Sequence, residues 1–145
     1  MEILNEMRLM FLSKSENESF ARVTASAFIS PLDPTVSELV EIKTAVSEAV
    51  SNAVIHGYDK TVGVITLEMR IFSDYTVEVT VTDAGKGISD IEKAREPLYT
   101  TKTEEERSGM GFTVMESFMD SLEVESEPGK GTKIFMRKRL HPNHT

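Results

Sequence analysis

A chain of 145 residues with 39% hydrophobic and 28% charged residues and no cysteine fits one domain large enough to bury a core unaided, and it excludes disulfides, thiolate metal sites and a cysteine nucleophile. The formal net charge of −8 argues against direct nucleic-acid binding, which draws on clustered Lys and Arg; it favours basic protein partners, or serves solubility alone. Met1–Arg8 lacks a basic start followed by an apolar run, and no apolar segment reaches membrane-spanning length, so neither a secretory signal nor a membrane is expected, and a cysteine-free chain suits a reducing cytoplasm.

Residues 7–12 read as a short first strand and 17–29 as a helix with Phe20, Val23, Ala27 and Phe28 on one stripe. Pro31 and Pro34 break the chain. Thr35-Val-Ser-Glu38 is a capping-box pattern that opens a long helix, whose apolar stripe takes in Leu39, Ile42, Val46, Ala49, Val50, Ala53 and Val54 before Gly57 stops it. Residues 64–71 alternate with the two-residue period of a half-buried strand, and Ser73-Asp74 supplies a turn. The next strand sets Val77, Val79 and Val81 on one face and Glu78, Thr80 and Thr82 on the other. Asp83 shares the parity of the valines and is expected to point toward the layer covering the sheet. A carboxylate there needs a cavity, a water cluster or a ligand donor.

A short helix is expected from about Ser89 to before Pro97, then a polar, aperiodic loop over 98–107, a helix over 112–119, and strands near 121–126 and 132–138 joined by a turn at 127–131. This order predicts an α/β (α+β) fold, a two-layer sandwich with helices on one face of a mixed, mostly antiparallel sheet. Residues 1–140 form the expected domain and 141–145 a loose tail.

Three short blocks carry the chemistry: Glu48-Ala-Val-Ser-Asn52, Asp83-Ala-Gly85-Lys-Gly87 and Ser108-Gly109-Met110-Gly111-Phe112. Glu48, Asn52 and His56 follow at four-residue spacing and share a polar stripe. A neutral oxygen such as that of Asn52 is what a hydrated Mg²⁺ bound to substrate phosphates would use, and Glu48, one turn earlier, would reach the attacking hydroxyl or water as base. For Glu48 alone a solvated helix face is the plain alternative, and His56 reads as a structural hydrogen-bonding residue. Asp83 could accept from an adenine amino group while Gly85 and Gly87 let backbone approach the base, a contact that rejects the guanine carbonyl. Asp and Gly also crowd into ordinary turns. Ser108, Gly109, Met110 and Gly111 precede a helix directly, as a phosphate cradle requires. Thr100, Thr101 and Lys102 could add hydroxyls and a cation from a lid; Lys102 and Arg107 fit solvated surface charges equally well. Thr132 could contact the base from a neighbouring strand, though strand propensity explains it as well.

No Gly-x-x-x-x-Gly-Lys-Ser/Thr loop, His-Arg-Asp or Asp-Phe-Gly occurs, so ATP chemistry must use another scaffold. The three blocks resemble the asparagine and glycine boxes of the GHKL ATPase/kinase superfamily, and Arg22 within Asn17-Glu-Ser-Phe-Ala-Arg-Val, the run Asn52–Tyr58, and the stretches at 97–102 and 115–120 resemble the anti-sigma serine kinases. The resemblance spans residues 5–140 and implies a Bergerat-type ATP-binding fold. It further implies ATP/ADP and Mg²⁺ as ligands, inhibition of a sporulation RNA polymerase sigma factor, and phosphorylation of a serine on an anti-anti-sigma protein. Position by position it implies Glu48 as base, Asn52 as magnesium ligand, Asp83 as adenine contact, and Gly109 and Gly111 in the phosphate loop. A homodimer is implied in the same way, and Arg22 is expected on a surface shared by the two partners. A sensor histidine kinase domain would share the boxes but normally follows a helical phosphoacceptor region. A nucleotide-switched binding module that transfers nothing is the second rival.

Overall fold

In the computed structural model, which describes residues 2–59, 61–87 and 111–141, the elements run β1 (Ile3–Leu12), α1 (Glu16–Ile29), a 3₁₀ turn (Ser30–Leu32), α2 (Val36–Asn52) continued by a π-helical turn (Ala53–Gly57), β2 (Val64–Phe72), β3 (Thr76–Asp83), α3 (Gly111–Phe118), β4 (Ser121–Glu127) and β5 (Gly131–Arg139). The strands form one sheet in the order β1-β2-β3-β5-β4, and all four pairings are antiparallel. The helix expected between Ser89 and Pro97, the loop over 98–107 and the last four residues of the expected tail lie outside the described residues.

Alternation puts one row of apolar side chains from every strand on the face toward the helices. Met7, Met69, Val79, Met136 and Leu122 line up in register across the sheet. With Ile65, Leu67, Val81 and Ile134 they meet Ile42, Val46, Ala49 and Val50 of α2 in the core. The α2 stripe is as the sequence predicts. That of α1 is not: Ala21, Ala25 and Ile29 are the buried residues, while Phe20 is 52% and Val23 59% exposed. Alanines let α1 approach α2 closely, and that packing turns the larger side chains outward.

The outer face of the sheet is a ladder of charges. Arg70 Nε lies 3.2 Å from Glu6 and Arg8 lies 3.3 Å from Glu68, exposed pairs of the kind that contribute about 0–1 kcal/mol each. Arg137 Nε donates to Glu78 at 2.7 Å. Glu78 and Thr80, expected on an open polar face, are only 7% and 8% exposed, because long cross-strand neighbours such as Arg70, Arg137, Glu68 and Phe135 flank them in register.

The capping box at the start of α2 does more than end a helix. The Thr35 hydroxyl accepts from Glu38 N–H at 3.1 Å, Glu38 Oε1 accepts from Thr35 N–H at 2.9 Å, and Glu38 Oε2 accepts from His141 N–H at 2.6 Å. His141, first residue of the expected tail, is thereby fixed to α2. Burial raises the Glu38 pKa, but the N–H groups of Thr35 and His141 and the Thr35 hydroxyl outweigh it and hold the carboxyl below its ordinary value. A depressed acid pKa stabilises the fold above the unfolded-state value and loses that contribution as pH falls through the folded-state one. Glu38→Ala is expected to cost roughly 2–3 kcal/mol, a lost cap plus a stranded N–H. Urea unfolding at neutral pH checks the cost, and the difference from wild type should shrink below about pH 4; a constant difference down to pH 3 would assign the loss to packing.

Candidate functional site

The end of α2 and the end of β3 meet at one edge of the helical layer. Ordinary helical spacing runs to Asn52, after which Ala53–Gly57 widens into a π-helical turn closed by Tyr58 N–H on the Ala53 carbonyl at 3.0 Å. Such turns concentrate at functional sites. Of the Glu48-Asn52-His56 stripe, Glu48 and Asn52 therefore lie on the α-helix and His56 on the widened turn. Glu48 and Asn52 are both half-buried.

The widened turn delivers Gly57 against Asp83. A Cβ on Gly57 would sit 2.8 Å from the Asp83 carboxylate, so glycine alone permits this contact. One on Gly85 would collide with the Gly57 carbonyl, and Lys86 N–H donates to that same carbonyl at 2.9 Å. Gly87, at φ 77°, lies against the Glu127 carbonyl. On the side where a Cβ would stand, Gly85 and Gly87 thus meet the protein's own backbone, and these glycines clamp the α2 and β4–β5 turns onto the end of β3. Tyr58, not singled out in the sequence, completes the clamp by accepting from Ala84 N–H at 2.7 Å and donating to the Val64 carbonyl at 2.8 Å.

Asp83 does point inward, as the valine parity predicts, and is 5% exposed. Burial raises its pKa, and the N–H groups of Gly85, at 2.9 Å from Oδ1, and Thr132 partly offset that rise. Thr132 stands directly opposite Asp83 in register and is equally buried. Next to it on β4 is Ser126, which the sequence reading passed over.

Arg22 reaches across from α1, donating to Ser47 at 3.4 Å and to Ser19 at 3.3 Å. A groove of about 340 Å³ between α1 and α2 is lined by Glu18, Arg22, Thr44, Ser47, Glu48 and Ser51. Glu48 belongs to a second neighbourhood as well: a Cβ on Gly111, first residue of α3, would lie 3.8 Å from Glu48 Oε2. Phe112 packs into the core, 5% exposed. Thr100, Thr101, Lys102, Arg107, Ser108, Gly109 and Met110 lie outside the described residues.

Among the described residues no three His, Cys, Asp or Glu side chains gather into a metal-binding group. Asn52, half-buried at the end of α2, offers one neutral oxygen, the kind of donor that suits a Mg²⁺ carried largely by phosphates and waters. No helix among the described residues is long and apolar enough to cross a membrane.

Residues 12–138 match the family described as histidine kinase-like ATPase domain. Two curated relatives cover nearly the whole chain. An anti-sigma F factor of Clostridium perfringens (strain SM101 / Type A) is 63% identical over 94% of this chain and 98% of its own length, and one of Thermoanaerobacter sp. (strain X514) is 60% identical over 97% of each. Among solved structures, the RsbU and RsbW domains of a Mycobacterium tuberculosis protein superpose with a TM-score of 0.69 at 20% identity, over 94% of this chain and 32% of that one. A histidine kinase domain from Erythrobacter litoralis superposes with a TM-score of 0.58 at 19% identity, over 85% of this chain and 60% of that one. At such identities the structures speak to the fold alone.

Proposed function

The chain belongs to the histidine kinase-like ATPase family, within its anti-sigma F factor branch, and on that footing we propose that it is an anti-sigma factor that binds and inhibits a sporulation sigma factor and, as an ATP-dependent protein serine kinase, inactivates its anti-anti-sigma partner. The observation that carries the kinase reading is the double placement of Glu48, on the wall of the α1–α2 groove and beside the start of α3. An acceptor serine entering by the groove meets the carboxylate on one side, and a phosphate at the helix N-terminus, where free N–H groups favour anions, lies on the other. The serine oxygen forms the new bond to the γ-phosphorus, the bond from that phosphorus to the β–γ bridging oxygen breaks, ADP departs, and the serine proton passes to Glu48.

Asp83 and Thr132 hold the adenine ring in this reading, and Asn52 holds Mg²⁺, which when bound neutralises phosphate charge. Ser108, Gly109, Met110, Gly111 and Phe112 supply the phosphate loop in this reading, and Thr100, Thr101, Lys102 and Arg107 add hydroxyls and cations for the phosphates. A homodimer working in the cytoplasm, without direct contact to nucleic acid or membrane, belongs to the same proposal.

The surface around Arg22 suits exchange between partners. Phe20 and Val23, one turn apart on the same helix, are 52% and 59% exposed on a side of α1 turned away from Arg22, so α1 offers both an Arg and an apolar edge, groups that protein interfaces use. Sigma factor and anti-anti-sigma protein are proposed to compete for this surface, with ATP favouring the sigma complex. Nucleotide shifts that choice only by its differential affinity for the two complexes, at about 1.4 kcal/mol per factor of ten. The reading is tested with radiolabelled ATP and both partners: acid-stable label on a partner serine supports it, acid-labile label on histidine supports a histidine kinase, and no label supports a switch without transfer. Arg22→Glu should weaken at least one partner tenfold or more in pull-down titrations while leaving ADP affinity unchanged. A stable ternary complex on one protomer would sink the shared surface.

A further inference from the structure

The helix-facing row across the sheet, Ile65-Asp83-Thr132-Ser126, turns from apolar to polar as it runs from β2 to the edge strand β4. Within it the direction of the hydrogen bonds can be worked out. The Gly131 carbonyl can only accept, so the Ser126 hydroxyl at 2.9 Å donates to it. A serine hydroxyl has a single proton, and it is now committed. Ser126 Oγ and Thr132 Oγ1 stand 2.8 Å apart; for that contact to be a hydrogen bond, the proton must come from Thr132.

From this chain we infer that Ser126 is a specificity-determining positioning residue, which ties up the Thr132 proton so that Thr132 presents a lone pair, beside the Asp83 carboxylate, toward the nucleobase. The inference rests on the proposed placement of the base at Asp83. Two adjacent acceptors suit an exocyclic amino group with its two N–H bonds, and they repel a 6-oxo group. Adenine carries the first and hypoxanthine the second, which also exchanges the N1 lone pair for an N1–H while sugar and phosphates stay the same. Ser126 thereby acts on nucleotide choice without touching the nucleotide.

ADP and IDP, which cannot donate a γ-phosphoryl, are the probes, each titrated with Mg²⁺ in a calorimeter. Ser126→Ala frees the Thr132 hydroxyl to rotate and donate to a 6-oxo group, and the ADP-over-IDP preference is expected to fall about three- to tenfold, the worth of one neutral hydrogen bond. Ser126→Thr keeps a hydroxyl and should keep the wild-type preference. In a Thr132→Val background, Ser126→Ala should leave the ratio where it is, since the group it acts through is gone. A ratio unchanged by Ser126→Ala, an equal loss for both nucleotides, or the same effect in the Thr132→Val background would each overturn the assignment. Failure of the wild-type protein to bind ADP would overturn the nucleotide reading and this inference together, a result distinct from the other three.

Discussion

Glu48→Gln is expected to lower serine phosphorylation by about 10²–10⁴-fold, the range that general-base catalysis supplies, while ADP affinity and sigma-factor binding stay within a factor of two or so. Glutamine keeps the shape of the side chain and one acceptor oxygen, with an NH₂ donor in place of the other, but cannot take the serine proton at neutral pH. Because Glu48 stands between the groove and α3 and the candidate base contacts come from β3 and β5, the substitution leaves nucleotide recognition alone. Single-turnover transfer from labelled ATP reads the rate, and calorimetry with ADP reads the binding. Equal losses in both would make Glu48 a structural residue. Asn52→Ala differs in kind: its loss of affinity should be seen with Mg²⁺ and disappear with EDTA.

Asp83→Asn is expected to weaken ATP and ADP by about 5- to 12-fold at neutral pH, since a hydrogen bond to an ionised acceptor is worth roughly 1.5–3 kcal/mol against about 0.5–1.5 for the neutral one that the amide keeps, a difference of about 1–1.5 kcal/mol. The raised pKa of Asp83 gives this a second signature. The folded, ligand-free protein holds the proton more tightly than the unfolded chain, so Asp83 costs stability as pH rises from its ordinary value near 3.9 through the raised one. Adenine binding prefers the carboxylate and must release that proton. Wild-type ADP affinity should therefore fall as pH drops into this window, and the affinity of Asp83→Asn should not. Parallel pH profiles for the two proteins would remove Asp83 from the base contact.

Strand parity carried the sequence reading furthest. Val77, Val79 and Val81 place Asp83 on the inward face without any knowledge of its neighbours, because a period of two admits no other phase. The capping box at Thr35 and Glu38 was as legible, its partners being three residues apart. What the pattern missed depends on contacts distant in sequence. The bond from His141 to Glu38 spans 103 positions, and the pairing of Ser126 with Thr132 exists only because a hairpin brings β4 beside β5. The α1 stripe was misread for a related reason: periodicity ranks Phe20 and Val23 above Ala21 and Ala25, but close approach to α2 rewards the smaller side chains. The π-helical turn leaves no periodic trace at all, since one widened turn is too short to alter a window average.

The place of β5 in the sheet bears on when this protein becomes functional during its synthesis. It is the last strand among the described residues, yet it sits inside the sheet between β3 and β4. Thr132 and the backbone that faces Asp83 both arrive on that strand. A nascent chain still lacking residues 131–139 can gather its helices and first hairpin, but not close the wall against which a base would rest. Pairings between distant segments also form slowly, because loop closure must come first. On the proposed placement of the base, nucleotide capture is therefore expected to wait for β5, and a chain truncated before residue 131 should fail to bind ADP.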